Sequence, residues 1–419
     1  MLQSQVINVL PRRILASLWA TSETRIALSH FAVNKEQPTA PMAISSNFLC
    51  NELPIRYTHI LRLLSALSPE SLQSPIIKNV AHSYLCDICT LLHPSLKQTS
   101  PKALSNVLSK LRTSQAVNSI RLRYAFLSNP TPACLNLMDN INTIGIGIHH
   151  LLDQHISWVT NKLNHAQTLR PEDITRQAVH DAQAAFSGAY GTAYLPQVEI
   201  KTRTKQELVY IPSMLHRIIY ESILLCLKAQ AMHDQEQERT VRWYRRPFMK
   251  SQPMTLSIFG GPTSVGFKLD TAAFIPDKDL LPSIPRDPIG IPTCSSVLSS
   301  TSRTRVDRVE PNHVLEWASL SGWKIARSLA SHWGGNLDIV NVDGLGSTVY
   351  LALDRNTQIL ERYPTFRAPQ QDAIPIQTAA AQLDAFLYAI SNAQPISTII
   401  PTPLYHHHSV SLTAAVSHA

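Results

Sequence analysis

From Leu53 to about Phe186, apolar residues return every three or four positions, broken only near Pro69, Pro94, Ser100-Pro101 and Pro130 to Pro132. That period lines one face of an α-helix and not one face of a strand, so the stretch must form long helices that hide their apolar faces against one another. The clearest run lies between Cys134 and Leu163, where Ile141, Ile144, Ile148, Leu151, Leu152, His155, Val159 and Leu163 follow three- and four-residue steps. A further helix begins near Pro171-Glu172-Asp173, because proline and acidic residues suit a first turn, and it carries Ala178, Ala182, Ala185 and Phe186. Four or so long helices with short connections make a bundle.

After Gly188 the pattern changes. Glu207 to Ile211 reads as a strand leading through Pro212 into a helix from about Ser213 to Ala231. Met254 to Phe259 and Ser264 to Leu269 read as paired strands, and 282–308 is a low-complexity stretch rich in Pro, Ser and Thr. A helix from about Val314 to His332 precedes a hairpin, Leu337 to Val342 with Thr348 to Leu353, turning at Asp343-Gly344-Leu345-Gly346. Helices alternating with mostly antiparallel strands indicate an α/β sandwich. Beyond Pro364 the chain is rich in Ala, Gln and Pro, with one expected helix at about Gln377 to Ser391. Residues 1–22 carry Arg12, Arg13 and Trp19 without an acid among them, which suits either a basic amphipathic import sequence or a disordered tail. The expectation is an α+β chain in two domains: a presequence and linker over 1–45, a four-helix bundle over 46–187, a sandwich over 188–365 and a tail over 366–419.

The charge balance narrows the partners. A formal net charge of +8 is mild for this length, and Lys and Arg form no run or stripe, which argues against a nucleic-acid binder. No stretch approaches 18 consecutive apolar residues, so no membrane span is expected. Six cysteines do not make a disulfide scaffold at this length, and Cys86-Asp-Ile-Cys89 lacks a second pair, so it reads as two buried thiols one helical turn apart. His406-His407-His408 lies in a Pro- and Thr-rich tail and reads as a solvated run.

Glu52-Leu-Pro-Ile-Arg-Tyr-Thr-His-Ile60, Ile144-Gly-Ile-Gly-Ile-His-His-Leu-Leu-Asp-Gln-His155, Trp333-Gly-Gly-Asn-Leu-Asp338 and Gly344-Leu-Gly-Ser-Thr348 resemble the mitochondrial pyruvate dehydrogenase kinase and branched-chain ketoacid dehydrogenase kinase family. Their order and spacing agree over about residues 50 to 365. The resemblance implies a four-helix bundle joined to a GHKL-type sandwich, with a mixed, mostly antiparallel sheet and helices on one face. It implies ATP and magnesium as cofactors, serine on the E1 subunit of a 2-oxoacid dehydrogenase complex as substrate, and docking on a lipoyl domain of E2. It further implies the mitochondrial matrix as location and a homodimer, or a heterodimer with a sister kinase.

Four residue sets carry ATP chemistry in that family. In the first, a helical Glu acts as base and an Asn one turn later holds magnesium. Here Glu221 is the matching base, but Leu224 and Leu225 stand where a Lys and the metal-holding Asn are expected, so no metal ligand is assigned. Arg217 replaces the His that tunes the Glu, and a cation there is expected to lower the carboxyl pKa and weaken the base. In the second set Asp270 would read the adenine amino group, yet Thr271-Ala-Ala-Phe-Ile-Pro276 replaces a glycine-rich turn, with Phe274 and the Cβ atoms of Ala272 and Ala273 narrowing the pocket. The third set, a lid that offers backbone N–H groups to phosphates, keeps Gly322 and gains Lys324 but has Ala318 and Leu320 at other glycine positions, flanked by Trp317 and Trp323. The fourth, Gly344, Gly346, Ser347 and Thr348, stays close to the family pattern and would shape the pocket floor.

Only 13 of 419 residues are Gly, and the missing ones are those that would let backbone close on a nucleotide. Two readings follow. The chain is either an active serine kinase that uses Glu221 and Asp270, or a pseudokinase that regulates by binding. The joint loss of metal ligand, Lys, tuning His and two glycine boxes favours the second. The bundle diverges as well: where the family carries Ser-Arg-Ile-Gly-Ile-Arg, both arginines are gone, and Gly145 and Gly147 should each cost about 1 kcal/mol in a helix. Asp139, Gln154 and His155 remain, and His155 reads most simply as a satisfied residue between helices.

Overall fold

The computed structural model describes residues 11–31, 41–127, 131–160, 165–190, 195–202, 206–240, 253–281, 322–365 and 375–391. The expectations at Leu163, Cys294, 282–308, Trp317, Ala318, Leu320 and His406 to His408 lie outside them.

Helix α1 spans Arg12–Ala20, α2 Ser46–Leu64, the one-turn α3 Pro69–Leu72, α4 Pro75–Leu91, α5 Pro101–Leu127 and α6 Pro132–Val159. Prolines that break the periodicity stand at first helical positions, where a missing N–H costs nothing. Ser45 and Thr131 cap α2 and α6, their side chains accepting from the Phe48 and Cys134 backbone N–H groups. Helices α2, α4, α5 and α6 each pack on two of the others, α2 against α4 and α6, α5 against α4 and α6. Cys86 and Cys89 are half-buried thiols on α4, less enclosed than expected.

Strand β1 (Gln167–Leu169) pairs antiparallel with β3 (Leu208–Tyr210) in a small sheet of its own. Helix α7 runs Pro171–Tyr190, β2 Val198–Thr202 and α8 Pro212–Thr240; β4 (Met254–Gly260), β5 (Ser264–Thr271), the one-turn α9 (Asp277–Leu280), α10 (Trp323–Ser331), β6 (Asn336–Val342), β7 (Gly346–Asp354) and α11 (Ile376–Ser391) follow. The main sheet has the order β2-β4-β5-β7-β6, parallel at β2/β4 and antiparallel elsewhere. Helix α8 packs on α7, α10 and β5, and α10 also covers β6 and β7. Alternation along β7 buries Val349, Leu351 and Leu353 under those helices and leaves Tyr350 exposed on the other face.

Helix α7, grouped with the helical half by its sequence pattern, packs on α8 and β2. Its alanine-rich stripe shows a helix without showing which layer it covers. Within the segment expected to hold a presequence and linker, Leu15 and Trp19 of α1 are fully buried, and α1 packs on α2 and α11. Trp19 Nε1 donates to Gln382 Oε1 of α11 at 3.2 Å, and Ile26 exchanges backbone and side-chain hydrogen bonds with Glu361. Amphipathicity, the feature that suggested an import sequence, serves here to bury an apolar face.

Candidate nucleotide site

The end of β5 and the start of β7 lie side by side, with Asp270 opposite Thr348 and Thr271 opposite Ser347. Thr348 Oγ1 donates to Asp270 Oδ1 at 2.7 Å, and Lys268 Nζ lies 2.9 Å from Asp270 Oδ2. The Asp270 carboxylate stays 37% exposed, and each oxygen has a further lone pair, which fits an amino-group donor such as an adenine edge.

Beyond Thr271 the chain is tied down rather than open. Ile275 N donates to Ser347 Oγ at 2.9 Å, Ser347 Oγ to Asn341 Oδ1 at 2.6 Å, and Asn341 Nδ2 back to the Ile275 carbonyl at 2.9 Å. Gly346 makes this approach possible. Its φ is +94°, and a Cβ there would come within 2.2 Å of the Thr271 carbonyl oxygen. Ala273 and Ile275 are buried, whereas Phe274 is more than half exposed. Gly344 sits at positive φ in the β6–β7 turn. Asn341 and Lys268 carry no motif signal, and strand pairing alone brings them here.

Helix α8 links this floor to a second cluster. Gln230 accepts from Thr271 Oγ1 at 2.7 Å, and Glu221 lies nine residues earlier, about 13 Å along the helix. Both Glu221 oxygens are engaged: Oε1 lies 3.3 Å from Arg217 Nε, and Oε2 accepts from the Gly322 backbone N–H at 3.0 Å. Gly322 caps α10 with φ +100°. Lys324, two residues on, pairs with Asp139 of α6 at 3.1 Å, so the ammonium expected near phosphates reaches across to the helical half.

Arg217 lowers the Glu221 carboxyl as expected, but the net shift is upward. Burial raises the Glu221 carboxyl above its ordinary value and outweighs the lowering by Arg217, the Gly322 N–H and Arg123 of α5. A 6% exposed carboxylate loses more by leaving water than two cations and one N–H return. One turn after Glu221, Leu225 is half-buried against the core. Magnesium takes oxygen ligands. Leu225 supplies none, so this position does not fit the ion that the resemblance implies.

The Glu52 to His59 motif builds a buried ionic joint. Arg56 is fully buried on α2; Nε donates to Glu52 Oε1 at 2.9 Å, Nη1 to Glu361 Oε2 at 3.1 Å, and Nη2 to Glu361 Oε1 and the Thr24 carbonyl. Burial alone would raise Glu361, but Arg56 overrides it and holds the carboxyl down at about 2. His332 Nε2 lies 3.4 Å from Glu361 Oε2 but outside hydrogen-bonding geometry. His59 Nδ1 bonds the Tyr363 hydroxyl at 2.8 Å, and His155 Nδ1 bonds the Ile44 carbonyl at 2.7 Å. Glu52 and Arg56 stand four residues apart, a spacing that pairs charges on a helix, but nothing in the sequence marks Glu361 as their partner.

Comparison with known proteins places these features among relatives. A family model described as mitochondrial branched-chain alpha-ketoacid dehydrogenase kinase matches residues 25–179, beginning inside the segment expected to be a leader. The chain is 24% identical over 354 residues to the mitochondrial pyruvate dehydrogenase (acetyl-transferring) kinase of Arabidopsis thaliana, covering 80% of this chain and 91% of that protein. Among solved structures, the mycobacterial sensor histidine kinase MprB matches 48% of this chain with 99% of its own, at 10% identity and a TM-score of 0.28, too low to bear on the fold.

Proposed function

We propose that this chain, which belongs to the family of mitochondrial pyruvate dehydrogenase and branched-chain ketoacid dehydrogenase kinases, regulates a 2-oxoacid dehydrogenase complex by binding, as a pseudokinase with weak or no phosphoryl transfer. One observation carries this reading: Leu225 occupies the metal-ligand position one turn after Glu221, whose two carboxylate oxygens are already engaged by Arg217 and Gly322. Phosphoryl transfer rests on positioning and on neutralising phosphate charge, and a leucine contributes to neither. The four-helix and GHKL-type arrangement belongs to the same reading, supported by the cyclic packing of α2, α4, α5 and α6 and by the mixed sheet covered with helices. So do a lipoyl domain of E2 and the E1 subunit as partners, a homodimer or a heterodimer with a sister kinase, and the mitochondrial matrix as location. No helix among the described residues is long and apolar enough to cross a membrane.

A second reading keeps the chain an active ATP-dependent kinase with Glu221 as base toward the E1 serine hydroxyl. Its support is the raised Glu221 pKa, because a general base works best when its pKa approaches the working pH. The full-length protein separates the two. Calorimetry with ATP should give the same affinity with and without magnesium, the nucleotide being held through Asp270 and Thr348, or no binding at all, and incubation with E1 should transfer no phosphate. Transfer that disappears in Glu221→Gln would establish the second reading instead.

A further inference from the structure

The start of α10 is fastened from two sides by carboxylates on different layers. Gly322 gives its N–H to Glu221 Oε2 at 3.0 Å, and Lys324 gives its ammonium to Asp139 Oδ2 at 3.1 Å. Asp139 belongs to α6. Glu221 belongs to α8 but faces Arg123 of α5 closely enough for that charge to act on its carboxyl. Ile325, one residue beyond Lys324, lines a cavity of about 20 Å³ with Gln115 of α5 and Asn142, Gly145 and His149 of α6, and α10 packs on α6.

Three charged residues around this seat are nearly enclosed: Arg217, Glu221 and Arg123 are 8%, 6% and 5% exposed. Burying an anion is unfavourable unless cations and N–H donors surround it, and removing one member of such a group is far more disruptive than never having had it. Lys324 and Asp139 are each more than a third exposed, so their pair is the weaker fastening.

We propose that Glu221 is a positioning residue: it fastens the start of α10 to α8 while the Lys324–Asp139 pair fastens it to α6, so that the two together clasp α10 between them. A partner that shifts α6 then shifts α10, the helix that leads into the β6–β7 hairpin. The clasp is independent of whether phosphate is transferred.

Hydrogen exchange of the full-length protein without nucleotide tests it. Amides 326–331 of α10 should exchange at least tenfold faster in Glu221→Ala, and severalfold faster in Lys324→Met and in Asp139→Asn, the last two combined adding nothing to either alone. Glu221→Gln keeps an oxygen for the Gly322 N–H and should restore protection to within threefold of wild type, a rescue that general loss of packing would not show. Lys228→Met, which removes the separate pair with Asp279 at 3.1 Å, should leave α10 unchanged. Exchange in α10 within twofold of wild type in Glu221→Ala, or acceleration spread evenly over the whole chain, overturns the proposal. Where Glu221→Ala does not fold, unchanged α10 exchange in both Lys324→Met and Asp139→Asn does so.

Discussion

Gly147 lies directly beneath Arg56: a Cβ on Gly147 would come within 2.4 Å of Arg56 Nη1 and 2.8 Å of Glu361 Oε2. The guanidinium is fully buried and held by Glu52, Glu361 and the Thr24 carbonyl, so it has nowhere to retreat. A helical glycine that looks like a defect in α6 thus makes room for the ionic joint between α2 and the segment after β7.

Gly147→Ala should therefore destabilise the protein by about 1 to 3 kcal/mol, overpacking outweighing the roughly 1 kcal/mol gained in helix propensity. Gly145→Ala meets only the Gln115 side-chain nitrogen, at 3.0 Å, and should stay within about 1 kcal/mol of wild type. Denaturant midpoints of the two variants, compared side by side, check the contrast. Equal midpoints would mean that the joint yields more easily than its burial suggests.

Glu361 gives an acid signature. Its folded pKa of about 2 lies below the ordinary 4.5, so the folded protein binds fewer protons than the unfolded chain between those values. The stabilisation is fully present above about pH 4.5 and is lost as pH falls toward 2. Its full extent is on the order of a few kcal/mol. Stability measured against pH in wild type and in Glu361→Gln should differ in slope within this window, and parallel curves would refute the assignment.

Ser347→Ala removes the acceptor of the Ile275 N–H and the donor to Asn341, leaving a buried N–H without a partner, and should cost about 1 to 3 kcal/mol. Gly346→Ala should cost more, because the new Cβ collides with the Thr271 and Ala272 backbone at a positive φ. Thermal melts should rank wild type above Ser347→Ala above Gly346→Ala. A Gly346→Ala protein as stable as Ser347→Ala would show that the loop after β5 can move aside.

Nucleotide affinity offers a fourth check. Asp270→Asn should abolish any magnesium-independent ATP binding, since it replaces the acceptor that would face an adenine amino group. Leu225→Asn should not confer magnesium dependence, because both Glu221 oxygens remain engaged and the loop after Thr271 remains tied to Ser347. Calorimetry with adenosine and with ATP reads both outcomes, and full phosphoryl transfer in Leu225→Asn would show that the loop is no obstacle.

The period of Ile141, Ile144, Ile148 and Leu151 was enough to anticipate α6, and the prolines at 101, 132, 171 and 212 to anticipate where helices begin, because both are local properties. The Asp343 to Gly346 turn was legible for the same reason. Strand β2 went unread: in Val198–Thr202 the residues at 199 and 201 are Glu and Lys, and the parallel partner β4 lies more than 50 positions away. The candidate residues can be named from the sequence, but their environment cannot. Arg217 beside Glu221 follows from helical spacing, but the sign of the pKa shift depends on burial, which no local pattern encodes. The pairing of Lys324 with Asp139, 185 positions earlier, is likewise beyond any local pattern.

The pairing of α1 with α11 sets an order of events during folding. Trp19 and Gln382 are separated by 363 positions, so the part of the α1 face that α11 covers is closed only after nearly the whole chain has emerged from the ribosome, although α2 packs on α1 early. Until then that part of the face stays uncovered, and closing so long a loop is entropically slow. A nascent or translocating chain of this protein would therefore be a natural client for a holding chaperone, and any processing protease that cuts beyond Trp19 would leave α11 without its seat.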